Sequence, residues 1–153
     1  LSPKQMHRLS HVPFSDLTIS INAATAATYT TVNRGLDWAR VRANLDSLLA
    51  LKRDDTAVNY SMVIVRDNVA EIEAFADLAW QDNVSVRFRL PNDNRLNSSI
   101  MTDEGLMRQA SGALERVAKQ AWSRDTGRST KDIIGTAQVL RQRLERGVFS
   151  ILQ

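Results

Sequence analysis

Two short stretches of the chain alternate apolar and polar residues, and each reads as a strand with one face turned to a core. In Leu17–Asn22, Leu17, Ile19 and Ile21 share one face while Thr18, Ser20 and Asn22 share the other. In Val84–Leu90, Val84, Val86, Phe88 and Leu90 oppose Ser85, Arg87 and Arg89. Between them Val58–Val65 reads as a further strand whose second half is apolar on both sides. Elsewhere the apolar period is helical. Trp38, Val41, Leu45, Leu48 and Leu49 mark a helix capped by Asp37 and running to about Lys52. Ile72, Phe75, Leu78 and Ala79 mark a second over about Val69–Trp80, with Asp67 read as its cap. Thr25 caps a short helix holding Tyr29 and Val32, and Gly35 ends it in a left-handed conformation. Two longer helices follow, about Asp103–Trp122 capped by Thr102, and about Lys131–Arg146 capped by Ser129 or Thr130 and ended by Gly147.

Strands that alternate with helices of this length predict parallel βαβ units and an α/β fold. A sheet covered by helices on both faces has strands that are apolar throughout. Here two strands keep a polar face, which predicts a partial (β/α) barrel: three parallel strands, helices outside, a polar inner face, and two carboxy-terminal helices. A half-exposed sheet under one helical layer is the competing architecture. Residues 1–100 form the partial barrel and residues 101–153 a helical extension packed on it, within a single domain. Arg87 and Arg89 lie side by side on the inner face, a pairing suited to a substrate or other anion with a carboxylate or phosphate.

Composition narrows the chemistry. With 43% hydrophobic and 24% charged residues over 153 positions, the chain has the make-up of an ordinary globular domain. It has no cysteine, so these residues supply no disulfide, catalytic thiol or thiolate ligand. His7 and His11 are four apart but lack the Glu of an H-E-x-x-H motif, and read as surface residues. No apolar run approaches the roughly 20 residues of a membrane helix, and LSPKQMHRLS lacks the apolar core of a signal peptide. The expectation is a cytoplasmic protein. Residues 108–146 carry nine Lys/Arg against four Asp/Glu, net +5, which leaves −2 for the remainder of a chain of net +3. That basic region raises nucleic-acid binding as an alternative, but Trp122 is its only aromatic residue. There is no P-loop, no G-x-G-x-x-G and no G-x-S-x-G.

The segment from Ile19 to Gly35 is more specific. ISINAAT, Thr28-Tyr29 and Val32-Asn33-Arg34-Gly35 resemble the central stretch of radical S-adenosylmethionine enzymes, in particular those with a SPASM-type extension. The likeness continues through Asp37-Trp38, Val41-x-x-Asn44-Leu45, Val63-Ile64-Val65-Arg66-Asp67-Asn68, Glu71-Ile72, Phe75-Ala76-x-Leu78-Ala79 and Val86–Leu90. It covers about Leu1–Leu90. It implies that the three strands are the fourth to sixth of a barrel whose strand ends contact S-adenosylmethionine. Carried over by position, Ser20 and Asn22 meet the ribose or methionine part, Arg66 the methionine carboxylate, and Leu90 the adenine through its backbone. The family's C-x-x-x-C-x-x-C loop, which holds a 4Fe-4S cluster, has no counterpart here, and the family's usual Asp is replaced by Asn22.

The resemblance therefore implies the carboxy-terminal half of an enzyme, inactive alone, with its cluster on a missing or separate segment. Its partner would be the amino-terminal half-barrel, or a self-association partner covering the open sheet edge, for which the two terminal helices could also provide cover. The alternative is a non-catalytic interaction module whose basic helices bind nucleic acid or an acidic partner. A complete small enzyme using Arg87 and Arg89 for an anionic substrate ranks last, because no acid–base pair accompanies them.

Overall fold

A computed structural model describes residues 3–12, 14–53, 55–92, 99–124 and 127–147. The order of elements is α1 (Pro3–Ser10), β1 (Asp16–Ser20), α2 (Ala26–Val32), α3 (Trp38–Ala50), β2 (Ala57–Val63), one 3-10 turn (Val69–Glu71), α4 (Ile72–Gln81), β3 (Ser85–Arg89), α5 (Glu104–Ser123) and α6 (Gly127–Arg146). The three strands are parallel and lie side by side in chain order, β1-β2-β3. This is the mixed α/β arrangement, with flanking helices, that the alternation of strand and helix patterns predicts.

Both crossovers lie on the same face. Tyr60 belongs to the apolar face of β2, and its hydroxyl donates to Asp82 Oδ2 at the end of α4, at 2.7 Å. Arg42 of α3 reaches the same carboxylate at 2.6 and 3.0 Å. The apolar face is thus sealed by α3 and α4. Val58, Tyr60 and Met62 of β2, Val86 and Phe88 of β3, and Leu45, Ile72, Phe75 and Ala79 of the helices are buried together. Phe75 meets Phe88 edge to face at 5.9 Å. Helix α5 packs against α4 and α6, burying Met107, Ala110, Leu114, Val117 and Ala121.

The two edges of the sheet differ. Thr136 of α6 donates to the main-chain carbonyl of Phe88 at 3.2 Å, so α6 covers the edge of β3 that faces away from β2. Along β1 the outward main-chain groups of Thr18 pair with no described residue. Helix α6 therefore covers the β3 side, while the outer edge of β1 has no strand partner among the described residues.

Local chemistry shifts several element ends from their sequence-based positions. Asp103, not Thr102, caps α5, its Oδ1 accepting from Leu106 N at 3.0 Å. Helix α6 starts at Gly127, so Ser129 and Thr130 are helical and not caps; Thr130 is buried. Asn68, not Asp67, stands at the position before the 3-10 turn, but its side chain makes no cap bond, and Asp67 is exposed. Asp37 and Thr25 cap α3 and α2 as expected, and Gly35 and Gly147 have φ of +79° and +61°. Most of the polar loop expected over 92–99 lies outside the described residues.

Candidate functional site

The polar face of the sheet is ordered in rows by the strand register. Asp16 lies beside Ala57; Thr18, Asn59 and Ser85 form the next row; Ser20, Ser61 and Arg87 the next; Val63 and Arg89 the last. Neighbouring strands stand about 4.8 Å apart, so side chains within a row touch and long ones reach two strands away. Arg87 does so. From β3 it crosses β2 and donates to Thr18 Oγ1 at 3.2 Å and Asp16 Oδ2 at 3.1 Å on β1. Its Nε lies 3.8 Å from Asp132 of α6. Asn59 donates to Asp16 Oδ2 at 3.2 Å, and Asn59 and Ser61 are buried beneath this network. Sequence periodicity brought Arg87 and Arg89 to one face, and the register does so too. Their roles divide. Arg87 is consumed by two carboxylates, while Arg89 is exposed and makes no ion pair with a described residue.

The carboxyl ends of β1 and β2 are tied by two asparagines. Asn22 adopts φ of +63°, a conformation Asn tolerates better than most residues, and this turns the chain out of β1. Its Oδ1 accepts from Val63 N at 2.9 Å, substituting for the backbone acceptor of a continuing strand. Asn68 is fully buried. Its Nδ2 donates to the carbonyls of Asn22 and Val63, at 3.0 and 2.9 Å, and its Oδ1 accepts from Val65 N at 2.8 Å. Every polar atom of that amide is used in joining the strand ends.

The small-residue run after β1 is held from below. Glu71 accepts from Ala24 N at 2.7 Å and from Thr25 Oγ1 at 2.5 Å, while Asn33 Nδ2 takes the Ile21 carbonyl at 2.9 Å. Tyr29 of α2 packs on Trp38 of α3 with ring centroids 5.2 Å apart.

Against this frame the sequence-derived site residues separate. Ser20 ends β1 with an exposed hydroxyl that bonds to no described residue. Leu90 follows β3, its side chain packed on the core and its main-chain groups unpaired among described residues. Asn22 has committed its oxygen to the fold and keeps only its NH₂ for a ligand. Arg66 lies beyond β2 in an exposed turn and bonds Asp103 Oδ2 at 3.2 Å. The Asp103 carboxyl is held below its usual range by the Leu106 N–H and by Arg66. A ligand carboxylate at Arg66 would replace Asp103. Sequence reasoning missed Asn59, Ser61 and Asn68. The alternation of Asn59 and Ser61 with Tyr60 and Met62 was the signal for the first two.

No family model, curated protein or solved structure matches this chain.

The basic terminal helices are largely paired internally. Arg108 bonds Glu104 within α5, Arg116 bonds Glu73 of α4 at 2.8 and 3.1 Å, and Arg141 bonds Glu115 across α5 and α6. His11 Nδ1 bonds the His7 carbonyl at 2.8 Å, and the two exposed rings meet edge to face. Among the described residues no cluster of three His, Cys, Asp or Glu side chains could hold a metal. No described helix is long and apolar enough to cross a membrane.

Proposed function

We propose that this chain is the carboxy-terminal half of a radical S-adenosylmethionine-type barrel, and that its strand ends form one wall of an S-adenosylmethionine site. One observation carries the reading: three parallel strands are wound in chain order with both crossovers on the apolar face, leaving the opposite face polar. That is the geometry of a barrel wedge, in which ligands meet the carboxyl ends of the strands. Ser20 offers its hydroxyl, Leu90 its main chain, Asn22 an amide NH₂, and Arg66 a guanidinium that exchanges Asp103 for the ligand carboxylate.

The residues fit the binding half of such a site and not the redox half. A 4Fe-4S cluster needs thiolates, and the chain has no cysteine, so no reductive step is assigned to it. The chain alone is inactive. The open edge of β1 receives the amino-terminal half-barrel or, in its absence, another copy, and the assembly works in the cytoplasm. The alternative, a basic module for nucleic acid or an acidic partner, draws less support because Arg108, Arg116 and Arg141 are already neutralised.

Calorimetry with S-adenosylmethionine tests the reading. Wild type should release saturable heat that Ser20→Ala and Arg66→Ala each diminish. Equal heats in all three proteins would remove these residues from the site, and no heat in wild type would overturn the binding role.

A further inference from the structure

At the opposite end of the sheet the amino ends of β2 and β3 frame a recess of about 390 Å³, lined by Lys52, Trp80, Asn83, Ser85 and Arg124 together with strand backbone. Three helices finish here. Lys52 follows the C-cap of α3, Asn83 follows that of α4, and Arg124 is that of α5. Asn83 takes φ of +53°, which turns the chain directly from α4 into β3 and leaves the recess between them.

Among the described residues the recess is lined by two cations and no carboxylate. Neither Lys52 nor Arg124 forms an ion pair with a described residue, whereas the neighbouring Arg42 and Arg53 both do. The nearby Asp82 is taken up by Arg42 and Tyr60. Helix C-termini attract cations, but each presents only about half a unit of negative charge. Here the N–H groups of Leu51, Asp82 and Arg124 already bond carbonyls in the last turn.

The decisive group is Trp80. Its Nε1 is the one buried side-chain nitrogen or oxygen among the described residues that has no hydrogen-bond partner. An orphan donor of this kind is destabilising unless an acceptor is supplied. The Arg124 guanidinium lies over the same ring, 4.7 Å from its centroid. Ser85, whose side chain belongs to the polar-face row of Thr18 and Asn59, borders the recess at the start of β3.

We propose that this recess binds a small polyanion through its phosphate or carboxylate oxygens. Lys52 and Arg124 supply the charge, and Trp80 Nε1 supplies a directed hydrogen bond. Arg124 turns from the indole face to meet the anion, and the in-plane Nε1–H, buried in the free protein, meets an oxygen acceptor as the indole itself shifts. The site is separate from the strand-end site and does not depend on that reading.

Trp80 makes the test direct. A variant carrying Trp38→Phe and Trp122→Phe leaves it as the sole tryptophan, and its emission is followed during titration with pyrophosphate or citrate at matched ionic strength. Calorimetry on the unsubstituted protein gives the same reading should that variant fold poorly. The expected result is saturable binding with Kd below about 1 mM, weakened about tenfold or more by Lys52→Ala and by Arg124→Ala. Both variants should melt where wild type does. Preference for pyrophosphate identifies a phosphate ligand, preference for citrate a polycarboxylate, and either supports the site. Absence of saturation, a response that chloride reproduces, or binding unchanged in both variants would overturn it.

Discussion

Arg87 on β3 bonds Asp16 on β1 at 3.1 Å, passing over the intervening strand. The pair fastens the two outer strands across the polar face, with Arg87 only 18% exposed and Asn59 and Ser61 buried beneath. It is a bond of the fold, although its residue types look like those of an anion receptor.

Removing that strut should show in stability. Arg87→Ala leaves Asp16 and Asp132 without their shared cation and uncovers Asn59 and Ser61. The expected loss is about 1–2 kcal/mol, read as a lower urea midpoint at unchanged slope. Arg89→Ala, at an exposed position with no ion pair to a described residue, should shift the midpoint by no more than about 0.5 kcal/mol.

The two asparagines at the strand ends should respond differently. Asn68→Ala orphans Val65 N and two carbonyls in a fully buried position, and should cost about 3 kcal/mol. Asn22→Asp keeps an acceptor for Val63 N and should be nearly neutral. Asn22→Ala loses the acceptor and retains the positive φ, and should cost about 2 kcal/mol. Chemical denaturation of the set establishes the order.

Asp82 should govern part of the acid limb. Burial raises its pKa, but hydrogen bonds from Arg42 and Tyr60 outweigh that and hold it below the usual carboxylate range. The unfolded chain then binds more protons than the folded one as pH falls, so stability declines from the ordinary carboxylate pKa down through the folded value. Below the ordinary carboxylate range, Asp82→Asn should flatten this decline while lowering stability near neutrality. Urea midpoints against pH provide the comparison. An unchanged slope would exclude Asp82 as a contributor.

Glu71 should control the order of the segment beside the strand ends. Glu71→Ala removes the acceptor for Ala24 N and Thr25 Oγ1. Amide exchange at Ala24 should accelerate sharply while that of β2 stays slow, since the substitution leaves the strand ladder intact. Mass spectrometry of exchanged peptides resolves the two segments.

Much of this architecture was legible because one strand period and one helix period account for most of the core. Leu17, Val86 and Phe88 fall on the expected face, and Phe75 and Leu45 on the expected helical stripes. Helix ends were less legible where good capping residues adjoin. Thr102 and Asp103 can both cap, and bonding to Leu106 N selects Asp103. The start of α6 reads as a loop from Gly127-Arg128-Ser129-Thr130, but packing against α5 carries the helix through it. Site residues were hardest to read. Periodicity places Arg87 on the polar face but not its partners, because Asp16 and Asp132 lie 71 and 45 positions away in the chain. Asn68 looked like one letter of a motif until its three bonds showed how the strand ends are joined.

The cover that α6 lays along β3 also sets an order of events during synthesis. Thr136 emerges from the ribosome well after Phe88, so the outer edge of β3 in the nascent sheet stays uncovered until α6 arrives. Helix α6 thus acts as a built-in guard against strand-to-strand adhesion on one flank. A chain shortened before Gly127 would lose that guard and be prone to pair through β3 as well as β1.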